Sequence, residues 1–142
     1  MSAEAKFRRA FETAFRRHSP FLSYMSSMSV AGIPDEYLLV NGHSYWIELK
    51  AVSKWPKKPS SNILEHRFTG PQLTYLRRVD RAGGRGVGVI GWLDDKKWVC
   101  VCLRTHDIGD DGTVTKSELD RHPHLLVDAW FHKRFLRLLG RS

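Results

Sequence analysis

Residues 31–50 read AGIPDEYLLVNGHSYWIELK, and this stretch decides the fold. Two apolar, aromatic-rich runs, 37–40 and 45–49, flank Asn41-Gly42, a dipeptide suited to a tight two-residue turn because both positions tolerate positive φ. The turn sets the register. With Asn41 and Gly42 as the loop, Val40 faces His43 and, counting outward, Asp35 faces Glu48. Facing residues of an antiparallel pair point to one side, with Cβ atoms roughly 4.5–5.5 Å apart. Lys50, two residues beyond Glu48, joins them on that side.

Two carboxylates brought together repel unless a cation lies between them or one takes up a proton. A hard divalent metal bound through oxygen, most often Mg2+, answers that demand. A lysine beside it positions water or stabilises charge on a phosphate oxygen. The plainer alternative is a surface hairpin with an incidental ion pair. It does not explain why Gly32 and Pro34 lead into an apolar strand that carries these charges.

Pro34-Asp35 followed by Glu48-Leu49-Lys50 resembles the motif of the PD-(D/E)XK nuclease superfamily. Gly32-Ile33-Pro34-Asp35 with Trp46-Ile47-Glu48-Leu49-Lys50 is most similar to its VRR-Nuc and Holliday-junction-resolvase-like branches, many of them phage-encoded. The resemblance spans roughly residues 1–105. It implies a restriction-endonuclease-like αβββαβ core and a Mg2+-dependent phosphodiesterase acting on DNA, with Mn2+ as a substitute metal. Asp35 and Glu48 then correspond to metal ligands and Lys50 to the residue that helps activate water. Relatives often carry a further acidic residue shortly before Gly-x-Pro-Asp, where this chain has Met25-Ser26-Ser27-Met28, and an apolar residue where this chain has Glu36. Those departures leave one metal and two metals both open.

Bulk composition agrees with a nucleic-acid partner without naming one. The chain has 142 residues, 42% of them hydrophobic, and a formal net charge of +8. That length suits one domain with an ordinary core, and that charge favours a polyanion. Cys100 and Cys102 sit two apart in an apolar run and read as core thiols on one face of a strand. They fit a reducing compartment better than a disulfide or a zinc site. No apolar run reaches transmembrane length and no signal peptide is evident. The expectation is a cytoplasmic protein without a membrane partner, in the host cell if phage-encoded.

From residue 2 to about 18 the spacing predicts a helix, with Phe7, Phe11, Ala14 and Phe15 on one face. At 100° per residue Glu4 falls about 20° from Phe11, near the centre of that stripe, and Glu12 about 100° away at its margin. A carboxylate aimed at a core is costly unless paired or metal-bound. The resemblance matches Glu4 to an acidic residue that completes the metal site. Compensation of the helix dipole is the other reading. Lys6, Arg8, Arg9, Arg16 and Arg17 form the solvated or DNA-facing side. Ser19-Pro20 ends the helix, and 21–30 is a weak strand.

Residues 51–68 read as an irregular basic loop. Lys54, Lys57, Lys58 and Arg67 suit backbone phosphates, and Trp55 suits stacking on an unpaired base; a solvated connector is the alternative. Thr69-Gly70-Pro71-Gln72 opens a second helix, with Thr69 as cap and Gln72, Leu76 and Val79 on the inner side. The resemblance places Gln72 beside the active site, orienting water or phosphate, whereas a purely structural amide would satisfy a buried carbonyl. Arg77, Arg78 and Arg81 line the outer side.

Gly83-Gly84 ends that helix, and strands are expected over 86–93 and 98–103. Gly86-Val-Gly88-Val-Ile-Gly91 matches the dinucleotide-binding fingerprint by letter, but its glycines lie inside an apolar run with no helix opening among them. Residues 107–118 half-match a calcium-binding loop; Gly109 at the third ligand position argues instead for a polar turn and a helix capped by Thr115 and Glu118. A last helix is expected from about 125 to 139, with Val127, Phe131, Phe135 and Leu138 as its stripe and Lys133, Arg137 and Arg141 on another face.

The expected fold is α/β (mixed α+β), a central mixed sheet flanked by helices. It forms one domain over 1–142, with a core to about 105 and a helical extension over about 115–142. The expected function is cleavage of branched, flap or single-stranded DNA. A resolvase would work as a homodimer. The rival is a non-catalytic nucleic-acid-binding module that keeps the fold.

Overall fold

A computed structural model describes residues 1–16, 22–25 and 30–140. Its elements, in chain order, are α1 (Ala3–Arg16), β1 (Leu22–Tyr24), β2 (Glu36–Val40), β3 (His43–Ala51), α2 (Gly70–Arg81), β4 (Arg85–Asp94), β5 (Lys97–Arg104), α3 (Lys116–Leu119), β6 (Leu125–Leu126) and α4 (Phe131–Gly140). Among the described residues six strands form one sheet in sequence order. β3 and β4 run parallel and the other neighbours antiparallel. This is the mixed sheet flanked by helices that the sequence predicts.

The hairpin carries the predicted register: Val40 pairs with His43 and Glu36 with Ile47. Asn41 and Gly42 both take positive φ, 50° and 77°, which matches the right-handed twist of the flanking strands. β3 runs further than the aromatic run suggested, to Ala51, because its parallel pairing with β4 continues to Gly91. Of the expected strand at 21–30, Leu22–Tyr24 is formed as β1; residues 26–29, with Ser26, Ser27 and Met28, lie outside the described residues, as do Arg17 and Arg141.

Alternation along β3 divides the core. Ile47, Leu49 and Ala51 join the cluster under α1, with Phe7, Phe11, Phe15, Phe131 and Phe135. The opposite face packs Val52, Phe68, Leu73, Ile90 and Trp92. Under α1 the phenylalanine rings meet mostly edge to face, as Phe15 does on Phe131 at 89° and 5.5 Å. Each fully buried ring contributes about 1.5–3 kcal/mol, so this stack fixes α1, and with it Glu4, over the sheet. Both cysteines are buried in the same cluster and unpaired.

Two expectations are corrected. The last helix begins at Phe131, not near 125. Leu125 and Leu126 instead pair with Cys100 and Val99 at the edge of β5, which satisfies backbone groups a helix would leave beside an open edge. Asp128 then starts α4, accepting from the Trp130 amide at 2.8 Å. On α2 the buried residues are Leu73 and Leu76, and Gln72 is only half-buried. The predicted polar turn and Thr115–Glu118 capping box are present in α3. Among the described residues no helix is long and apolar enough to cross a membrane.

Candidate active site

Gly32 positions the site before any charged group does. Its φ is +74°, and a Cβ there would lie 2.2 Å from the Pro71 carbonyl oxygen. Only glycine lets the turn into β2 lie against the first turn of α2. Asp35 leaves that turn just ahead of β2, and its Oδ2 accepts from the Leu49 amide at 2.9 Å. The carboxylate is thereby tied to the strand that carries Glu48 and Lys50.

Glu48 and Lys50 are nearly fully buried, and Lys50 Nζ stands 3.5 Å from Glu48 Oε2. Nζ also lies 5.4 Å from the Phe68 ring centroid. Gln72 Nε2 donates to the same Glu48 oxygen at 3.0 Å. Its Oε1 accepts from the Thr69 amide at 2.9 Å, so the helix cap fixes the side chain that reaches Glu48. Glu4, in the first turn of α1, brings Oε2 within 3.3 Å of His66 Nδ1.

These groups share one polar cavity of about 250 Å3, lined by Glu4, Arg8, Asp35, Glu48, Lys50 and Gln72. A larger and more apolar cleft of about 390 Å3, between α1 and residues 127–129, has Ala10, Ala14 and Val127 in its walls. Its carboxylate, Asp128, is already held by Arg134 at 2.9 Å, so it gathers no comparable chemistry.

Burial dominates the electrostatics of the cavity. Burial, then the charge of Asp35, pushes the Glu48 carboxyl up to about 8 against the pull of Lys50. Burial also raises Asp35, opposed by the Leu49 amide, Lys50 and Arg8. Glu4 is raised by burial against Lys50 and His66. Glu48 Oε1 and Glu4 Oε1 are buried and make no hydrogen bond among the described residues. Three carboxyls whose pKa burial raises, two of them with orphaned oxygens, fit a cation that would stabilise their ionised forms. Among the described residues no three acidic, histidine or cysteine side chains stand so that they could together hold a metal ion. Mg2+ does not require three, since it keeps several waters and takes one or two carboxylates.

The residues expected to touch nucleic acid lie outside this cavity. Lys54, Lys57 and Lys58 are exposed on the loop after β3. Trp55 rests against Trp92, Arg67 is exposed, and Arg77 is paired with Asp110 at 2.9 Å. The sequence puts Arg8 on the solvated or DNA-facing side of α1. It lines the cavity and donates to the Tyr24 hydroxyl at 2.7 Å. Its position one turn after Glu4 was the available signal. His66 carried none, being 62 residues from its partner Glu4.

No protein-family model matches the sequence, and no curated protein matches it significantly. Among solved structures the chain is similar to Hjc, a Holliday junction resolvase from the archaeal hyperthermophile Archaeoglobus fulgidus. The TM-score is 0.56 at 13% identity, over 92% of this chain and 98% of that one. The shared property is the fold: a mixed sheet flanked by helices.

Proposed function

We propose that this chain is a Mg2+-dependent endonuclease of the PD-(D/E)XK kind, cutting branched DNA with Asp35, Glu48 and Lys50 at its centre. The observation that carries the reading is the convergence of these residues, with Gln72 and Glu4, on one cavity. The likeness in fold to a Holliday junction resolvase supports it, as does the sequence pattern from Gly32 to Lys50.

Asp35 and Glu48 would hold the metal, and Glu4 would add a third carboxylate from α1. A divalent cation there supplies charge neutralisation at the scissile phosphate and lowers the pKa of water. Lys50, buried beside Glu48, would stabilise negative charge developing on phosphate. Gln72 holds the Glu48 carboxylate in place and presents an amide donor at the cavity wall. Arg8 supplies a second cation from α1. Lys54, Lys57 and Lys58, with Arg67 and Arg77 further along the surface, hold the DNA backbone. Symmetric cutting of a junction requires two sites, so the working unit is a homodimer. Mn2+ would substitute for Mg2+.

The test is a panel of end-labelled four-way junction, flap, single-stranded and linear duplex DNA with Mg2+. Preferential cutting of the junction is expected. Cutting of the linear duplex at an equal rate would overturn the branched-DNA assignment.

A further inference from the structure

The register of β3 and β4 places an aromatic site beside the catalytic one. Lys50 pairs with Ile90 and Ala51 with Gly91, so Trp92 lies two residues, about 7 Å, beyond the partner of Lys50. Alternation puts its side chain on the face that carries Glu48 and Lys50. Trp55 comes back from the basic loop and meets Trp92 edge to face, with centroids 5.6 Å apart at 77°. His124 meets Trp92 likewise at 5.1 Å and 79°. Together they wall a cavity of about 310 Å3, at the lower end of the range for small-molecule sites. Trp55 remains 38% exposed and Leu93 beside it 52%.

Charge says what this cavity takes. Its own wall includes the carboxylates of Asp94 and Asp120, and Asp120 is held by Lys116 at 2.7 Å and by His124 at 3.5 Å. With Lys116 also in the wall, the lining carries no net positive charge to draw a phosphate inside. Lys54, Lys57 and Lys58 are exposed on the loop that delivers Trp55. A flat, neutral ring in the cavity, with its phosphates turned outward to those lysines, satisfies both halves of the surface. An unpaired nucleobase has that form, and base–aromatic stacking accepts any base.

We propose that Trp55 and His124, both exposed and both seated on the buried Trp92, form a stacking site for an unpaired nucleobase of the strand being cut. The proposal rests on the nuclease reading for its placement. The stacked base therefore lies close to the scissile phosphate, two β4 residues beyond the partner of Lys50. Substrate choice then follows: the chain cuts where a branch, flap or opened end frees a base at that distance.

The test is binding by the full-length chain, in EDTA, of two labelled hexanucleotides with the same number of phosphates: oligothymidylate and its abasic counterpart. Fluorescence anisotropy is expected to show oligothymidylate bound about tenfold more tightly. Trp55→Ala should erase the difference, and Trp55→Phe, which keeps an aromatic face, should retain most of it. Equal binding of the two oligonucleotides, absence of binding to either, or a preference that survives Trp55→Ala would overturn the proposal. Because nothing is cut in EDTA, the base preference is read whether or not the protein is a nuclease. Metal-dependent cleavage without a base preference would remove this site and leave the nuclease reading intact.

Discussion

Gln72 donates to Glu48 Oε2 at 3.0 Å while its own Oε1 closes the cap of α2 on the Thr69 amide. One side chain therefore links helix stability to carboxylate position, and two substitutions separate the roles. Gln72→Ala should lower stability by about 0.5–1 kcal/mol through the lost cap and cut the cleavage rate by about tenfold or more. Thr69→Ala should cost similar stability yet leave cleavage within about twofold. Thermal melts and single-turnover rates on junction DNA check both. Equal loss of cleavage in the two variants would make Gln72 structural only.

Lys50 is buried against Glu48 and Phe68, away from the exposed basic loop. Lys50→Ala should therefore abolish detectable cleavage while the dissociation constant for junction DNA, measured in EDTA, stays within about threefold. Normal cutting by this variant would remove Lys50 from the chemistry.

Glu48 titrates near 8, so below that pH it is mainly protonated in the absence of a cation, and taking up metal expels the proton. At limiting Mg2+ the cleavage rate should rise from pH 6 and level off above about 8. Raising Mg2+ should move the rise to lower pH. A pH profile that does not shift with Mg2+ would mean that proton and metal do not compete at Glu48.

Glu36 is fully buried, and burial, with the Glu12 and Asp35 carboxyls beside it, pushes its own carboxyl up to about 10. Its folded value thus lies above the ordinary 4.5. The folded state holds this proton more tightly than the unfolded chain, so the stabilisation is complete below about 4.5 and is lost as pH rises towards 10. Glu36→Gln should match the wild type near pH 4 and exceed it by about 2 kcal/mol or more at pH 8. Thermal midpoints against pH for both proteins test this; parallel curves would contradict it.

Neutralising Lys54, Lys57 and Lys58 together should make the slope of log affinity against log salt shallower by roughly 2 to 3. Fluorescence anisotropy titrations between 50 and 200 mM salt measure it. An unchanged slope would place the DNA on another face.

The hairpin was legible because its signal is local. Asn41-Gly42 dictates the turn, the turn dictates register, and register brings Asp35 to the strand of Glu48. The cap of α2 was legible for the same reason. Leu125-Leu126 was not: two leucines before an amphipathic run look like its first turn, and only the open edge of β5 makes them a strand. The glycines of the false dinucleotide fingerprint serve packing instead. A Cβ would meet Leu76 at Gly86, Phe68 at Gly88 and Phe7 at Gly91. His66 and Trp92 reach their partners through tertiary folding, and no spacing in the sequence announces such contacts.

The most direct test of the Asp35–Glu48–Lys50 centre is single-turnover cleavage of a four-way junction by the wild type and by Glu48→Gln, with Mg2+ and with EDTA. Cutting is expected from the wild type in Mg2+ alone, with a loss of about hundredfold or more in Glu48→Gln and little change in junction binding. Cutting that persists in EDTA, wild-type rates from Glu48→Gln, or a junction bound but never cut would contradict the account, the last in favour of a non-catalytic binding module.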